Sequence, residues 1–115
     1  MSVKTDNYTF AQTVLDITRM VPVGRVTTYG AIASAAGSAQ SSRMVGYVLN
    51  GCAGNEESVP AHRVVNRNGM LTGKQHFGHP GRMQELLEKE GIKIKDDTVV
   101  DFEKLFWNPL EELSM

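Results

Sequence analysis

A chain of 115 residues, 41% apolar and 22% charged, has material for one hydrophobic core but not two, and its composition is not that of a disordered polymer. It has no run of about 18 apolar residues to cross a membrane, Met1 to Phe10 lacks the basic flank and apolar centre of a secretion signal, and its single cysteine, Cys52, excludes an internal disulfide and a cysteine-rich zinc site. The formal net charge of −1 excludes a uniformly basic surface, so any attraction to a polyanion must come from uneven distribution.

Phe10, Val14 and Ile17 recur at helical spacing and predict a helix from Thr9 to Met20, stopped at Pro22. Pro22-Val23-Gly24 reads as a turn. Thr28 is placed to cap a short helix from Tyr29 to Ala36, ended by Gly37. Ser41 or Ser42 can cap the next, from Arg43 to Asn50, with Val45, Val48 and Leu49 turned inward. Two short helices joined by a tight glycine-containing turn form a helix-turn-helix pattern, and Ala31, Ala33, Ala35 and Ala36 allow close approach.

Gly51 to Ser58 is a polar loop. Val64-Val65 and Met70-Leu71 flank Asn66-Arg67-Asn68-Gly69, which predicts a hairpin and a wing. A glycine- and histidine-rich loop spans Gly73 to Pro80, and Gly81 to Glu90 reads as a helix stopped by Gly91. Ile92, Ile94, Val99 and Val100 suggest a small hairpin around Asp96-Asp97. The aromatic segment Leu105 to Leu110 is expected to fold back over the core. Met20, Met44, Met70 and Met83 are expected to fill it. The fold class expected is mainly α with small β hairpins, a winged helix-turn-helix DNA-binding domain over residues 1–115.

Charge is segregated along this order. Arg19, Arg25, Arg43, Arg63, Arg67, Lys74 and Arg82 face only Glu56 and Glu57 between Ile17 and Gln84, while the tail from Glu85 carries a net −5. A basic middle beside an acidic tail is a workable footprint for a phosphate backbone. His76-x-x-His79 could chelate a metal, but no acidic or thiol partner lies near it in sequence, so no metal and no cofactor is expected.

Four ordered motifs carry a family resemblance over residues 8–92. Pro22-Val23-Gly24-Arg25-Val26-Thr27-Thr28-Tyr29-Gly30 looks like the Pro-x-Gly-x-Val-x-Ser/Thr-Tyr-Gly segment of the O6-alkylguanine-DNA alkyltransferases. Ser42-Arg43-Met44-Val45-Gly46 looks like their Ala-Arg-x-Val-Gly recognition-helix start. Pro60-Ala61-His62-Arg63-Val64 resembles Pro-Cys-His-Arg-Val, and Glu90-Gly91 closes the set. Residues 93–115 form a C-terminal extension to the resemblance. Where the transferases hold the alkyl-accepting cysteine, this chain has Ala61, whose methyl group has no lone pair to attack with. The combination resembles the alkyltransferase-like proteins, which bind O6-alkylguanine in DNA without repairing it.

The resemblance implies roles residue by residue. The lesion is rotated out of the duplex; Arg43 fills the gap and pairs with the orphaned cytosine, and Tyr29 crowds the 3′ phosphate. The helix-turn-helix approaches the minor groove, so base-specific readout is weak. Thr28, Ser42 and Arg67 are further DNA-contact candidates. The everted base sits against Val64, Ala61, Tyr29 and the loop from Thr72 to Gly81, with Lys74 either over the base face or on a phosphate. His62 and Glu90, a proton relay in a transferase, are structural here. Cys52, in a polar loop without a base, is an inert thiol. The family's hinge asparagine has no assigned equivalent: Cys52 occupies its place, between Asn50 and Asn55. The implied partners are duplex DNA containing O6-alkylguanine and nucleotide excision repair proteins, met by a monomer in the cytoplasm or on the nucleoid. The same residues leave open an inactivated or engineered Cys-to-Ala methyltransferase, and a winged-helix sequence-specific regulator.

Overall fold

A computed structural model describes residues 9–113. Helix α1 (Phe10–Met20) begins with a reciprocal cap: the Gln12 amide donates to Thr9 Oγ1 at 3.1 Å, and the Thr9 amide donates to Gln12 Oε1 at 2.8 Å. Val14, Ile17 and Thr18 form its buried stripe, and the Thr18 hydroxyl donates to the Val14 carbonyl at 2.7 Å instead of remaining orphaned in the core. Gly24, at φ +85°, turns the chain into strand β1 (Thr27–Thr28).

Helix α2 (Tyr29–Ala35) is capped by Thr28, whose Oγ1 accepts from the Ala31 amide at 3.0 Å. Its end is a Schellman turn. Gly37 adopts φ +91°, the Ser38 amide reaches the Ala33 carbonyl at 2.9 Å, and the Gly37 amide reaches Ser34 at 3.1 Å. Helix α3 (Ser42–Asn50) follows and packs on α2 and α1 through Val45 and Leu49. Val48 is only partly buried against the core. The expected serine cap of α3 is not made. Ser41 stands at the capping position, but its Oγ is engaged with Ser38 Oγ at 2.7 Å, so the first amides of α3 have no side-chain acceptor from it.

After the 3₁₀ turn Ala61–Arg63, strand β2 (Val64–Val65) pairs parallel with β1, Thr27 opposite Val64 and Thr28 opposite Val65. This corrects the predicted wing. The turn at Asn66–Gly69 does form, with Asn66 Oδ1 accepting from the Asn68 and Met70 amides, but its two arms pair elsewhere. Val64-Val65 is taken by β1, and Met70 bridges to Thr98 of the next hairpin. Two fully buried valines gain more from joining the central layer than from an exposed ribbon.

A second 3₁₀ turn (Lys74–His76) leads to helix α4 (Arg82–Lys89), which buries Met83 and Leu87. Strands β3 (Ile94–Lys95) and β4 (Thr98–Val99) form the predicted hairpin, with Asp96 and Asp97 at φ +53° and +59° as a primed turn requires. Short helices α5 (Phe102–Leu105) and α6 (Pro109–Glu112) close the fold. Between them the chain docks on Arg25-Val26, just ahead of β1: the Trp107 amide donates to the Val26 carbonyl at 2.7 Å, and Arg25 donates to the carbonyls of Leu105 and Phe106, each at 2.9 Å. Trp107 is buried as predicted.

The centre of the core includes Val14, Val26, Ile32, Val45, Val64, Val65, Met83 and Leu87, all without solvent exposure. Of the four methionines expected there, only Met83 belongs. Met20, Met44 and Met70 are exposed, because each falls on the outer face of an element whose inner face is already supplied by valine, leucine or isoleucine.

Candidate nucleic-acid interface

An open cleft of about 410 Å³ separates the second helix of the helix-turn-helix from the loop after the Asn66–Gly69 turn. Helix α3 supplies Ser42, Arg43, Gly46, Tyr47 and Asn50, positions that recur every three or four residues and so share one face. The opposite wall is Thr72, Gly73 and His76, and Tyr29 from α2 lies between them. Gly73 permits this closure: a Cβ there would stand 2.8 Å from the Tyr29 hydroxyl oxygen. Burial pushes the Tyr29 phenol above its ordinary value of 10.0, partly offset by the Thr72 hydroxyl, so it remains a neutral donor at physiological pH.

A second polar cluster ties the 3₁₀ turn Ala61–Arg63 to the end of α4. His62 Nε2 and Glu90 Oε2 are 2.7 Å apart. Arg63 donates to Glu90 through Nε at 3.0 Å and Nη2 at 2.9 Å, and through Nη1 to the Val21 carbonyl at 2.8 Å. The Gly24 amide completes the set at 3.2 Å from Glu90 Oε1. Burial opposes ionisation of Glu90, but the hydrogen bonds from Arg63, His62 and Gly24 outweigh it and hold the carboxyl below its ordinary value. Burial lowers the His62 pKa, against the pull of Glu90 upward. His62 Nδ1 is buried and has no hydrogen-bond partner among the described residues.

Of the residues the sequence nominated, the cleft gathers Tyr29, Ser42 and Arg43. Thr28 is buried, with its oxygen committed to the α2 cap. Arg67 is exposed at the Asn66–Gly69 turn, outside the cleft. The expected pocket residues Ala61 and Val64 are 5% and 0% exposed and do not line this cleft: Val64 is paired to Thr27 in the central layer, and both sit in the core cluster. Lys74 is likewise not in the lining. Its Nζ is paired with Asp97 at 2.5 Å, and it borders a separate hollow of about 150 Å³ with Met70, Leu71 and Gln75. His76 and His79 diverge, one into the cleft and the other accepting from the Gly81 amide at 3.2 Å.

The basic footprint is narrower than the sequence suggests. Arg19 is held by Asp16, Arg25 by backbone carbonyls, Arg63 by Glu90, Lys74 by Asp97, and Arg82 lies near Glu56 and Glu85. Arg43 and Arg67 are the exposed members of the basic middle that make no ion pair among the described residues. The loop from Thr72 to Gly81, nominated as a wall for the base, contributes Thr72, Gly73 and His76 to the cleft, whereas sequence reasoning missed Tyr47 and gave Asn50 no part in the site. Stepping four and seven residues along the helix from Arg43 reaches Tyr47 and Asn50; nothing in the sequence marks the loop residues as facing them. Flat rings, an amide and a guanidinium that makes no ion pair among the described residues suit a planar polar ligand beside a phosphate.

Residues 9–92 match the family described as 6-O-methylguanine DNA methyltransferase, DNA binding domain. A DNA base-flipping protein of Escherichia coli is 38% identical over 101 residues, covering 86% of this chain and 74% of that one. Alkyltransferase-like protein 1 of Schizosaccharomyces pombe is 30% identical over 104 residues, covering 87% and 95%. A methylated-DNA–protein-cysteine methyltransferase of Salmonella typhimurium is 38% identical over 85 residues, 74% of this chain but 48% of that protein. Among solved structures, S. pombe Atl1 in complex with damaged DNA containing O6-carboxymethylguanine superposes with a TM-score of 0.77 at 28% identity, over 95% of this chain and 100% of that one. Among the described residues no helix is long and apolar enough to cross a membrane.

Proposed function

Because the chain belongs to the family of 6-O-methylguanine DNA methyltransferase DNA-binding domains, we propose that it is a non-enzymatic recognition protein for O6-alkylguanine in duplex DNA. The observation that carries this reading is a conjunction. An exposed Arg43, without an ion pair among the described residues, stands in the first turn of the cleft-lining helix, and residue 61, ahead of an intact His62–Glu90 contact, is an alanine. In a transferase a thiol at this place would be activated through the histidine. Ala61 offers no proton to relay and no electron pair to donate, which leaves His62 and Glu90 as fasteners of the fold.

Arg67 holds the phosphate backbone, with Ser42 and the Thr28 segment on the same surface. The lesion nucleotide rotates out, at a cost of a few kcal/mol in stacking and pairing, and Arg43 occupies the space it leaves. A planar cation with several donors suits that role better than lysine. Tyr29 biases the rotated conformer. The base reaches Ala61 and Val64 only after the Thr72–His76 segment separates from Tyr29, and Lys74 reaches the base only by leaving Asp97. The small side chain at 61 then leaves room for alkyl groups bulkier than methyl. The protein acts as a monomer in the cytoplasm or on the nucleoid. A bent, unrepaired complex shields the lesion from true transferases and hands it to nucleotide excision repair.

Titration of a duplex carrying a single O6-methylguanine against the same undamaged duplex tests this directly. Tighter binding of the damaged duplex, with the alkyl group still on guanine after incubation, is the expected result. Equal affinities end the proposal, and transfer of the alkyl group to the protein ends its non-enzymatic part.

A further inference from the structure

Tyr47 has no task in the account above, yet it is the most exposed aromatic side chain of the helix-turn-helix, at 61%. It stands four residues after Arg43, about 6 Å further along α3, and lines the same cleft as Asn50 and His76. Among the described residues none of these three side chains takes part in a hydrogen bond, although α3 and the loop turn all of them into the cleft. A tyrosine ring left in water at the edge of an open cleft offers a flat apolar face and a polar tip to a planar ligand. The geometry also separates this cleft from the buried positions Ala61 and Val64.

We propose that Tyr47, Asn50 and His76 form a reception subsite for an extrahelical purine, entered before the alkyl group is inspected and without regard to whether one is present. The ring of Tyr47 stacks on the purine face, and the Asn50 amide and the His76 imidazole offer donors and acceptors to its edge. Every base has a π face, so stacking of this kind does not select among bases. Selection comes later, when the Thr72–His76 segment opens towards Ala61. The cleft fits the task in size, lying within the range of about 300–1,000 Å³ of small-ligand sites. This deepens the proposed lesion recognition and rests on it for the second stage only.

The probe is a duplex with one 2-aminopurine opposite an abasic site, an unalkylated purine that leaves the stack easily. Its affinity is compared with that of the fully paired duplex and of the O6-methylguanine duplex, for the wild-type chain, Tyr47→Ala and Tyr47→Phe. The wild type is expected to prefer the 2-aminopurine duplex over the paired one. Tyr47→Ala should lose at least about fivefold of that preference, and Tyr47→Phe, which keeps the ring, should stay within about twofold of wild type. Because Tyr47 is exposed, the variants should unfold at the wild-type urea midpoint. A wild type without preference for the extrahelical purine, or a Tyr47→Ala chain that retains it, overturns the subsite. Loss of O6-methylguanine discrimination in the wild type, with a Tyr47-dependent preference for 2-aminopurine intact, overturns the lesion reading and leaves the subsite standing.

Discussion

Replacing Glu90 by alanine removes the acceptor that joins three segments distant in sequence. The Glu90 carboxylate receives His62 Nε2, two nitrogens of Arg63 and the Gly24 amide, and the Glu90 and Arg63 side chains are 12% and 14% exposed. In Glu90→Ala the Arg63 guanidinium keeps only the Val21 carbonyl. Removing one partner of a buried ion pair costs about 3–5 kcal/mol, and the slight exposure of both groups places this pair near 3 kcal/mol. With a urea dependence of about 1.5 kcal/mol per M, the unfolding midpoint should fall by about 2 M. The melting temperature should drop by about 12 °C. Glu90→Gln, which keeps the shape and one acceptor oxygen, should lose about half as much. Equilibrium urea unfolding followed by circular dichroism measures both. A Glu90→Ala chain within about 0.5 kcal/mol of wild type would show that water replaces the carboxylate at little cost and that the cluster does not tether the fold.

The same cluster sets the response to acid. The folded-state pKa values of His62 and Glu90 both lie below their ordinary values of 6.5 and 4.5, so the unfolded chain binds more protons in each window. Stability should therefore be full above about pH 6.5, decline below it as His62 is forced to charge, and decline again below about 4.5. Urea titrations from pH 8 to 4 should show the first decline flattened in His62→Gln. Gly73→Ala places a methyl 2.8 Å from the Tyr29 hydroxyl and should cost about 1–3 kcal/mol. Adding Tyr29→Phe should recover at least half, and additive losses in thermal unfolding would refute the contact. Arg67→Ala should lower the slope of log affinity against log salt by about 0.9 and leave the preference for damaged over intact duplex unchanged, whereas Arg43→Ala, which removes the group that fills the vacated stack, should reduce that preference. Trp107→Ala, emptying a buried site on β1, should cost about 3–5 kcal/mol by urea unfolding.

The elements with local causes were legible from the chain alone. The helical spacing of Phe10, Val14 and Ile17 marked α1, and Thr28 and Gly37 bounded α2 as a cap and a left-handed stop must. The Asp96-Asp97 hairpin and the folding back of Trp107 also followed from short-range pattern. What failed needed partners from far along the chain. Val64-Val65 reads as a hairpin arm until Thr27-Thr28 claims it, and nothing near Lys74 announces an aspartate twenty-three residues later.

The candidate site divides in the same way. Tyr29, Ser42 and Arg43 were found because the motifs that hold them resemble those of the alkyltransferases, and such motifs are runs of adjacent residues. Which surface they share was decided by tertiary structure: Gly73 lets the loop close on Tyr29, Tyr47 and Asn50 face His76 across open space, and Ala61 is drawn into the core. Local hydrogen bonds and side-chain sterics act over a few residues and so are written in the order of the chain. Burial and ion pairing depend on distance in space, and only the folded molecule specifies that distance.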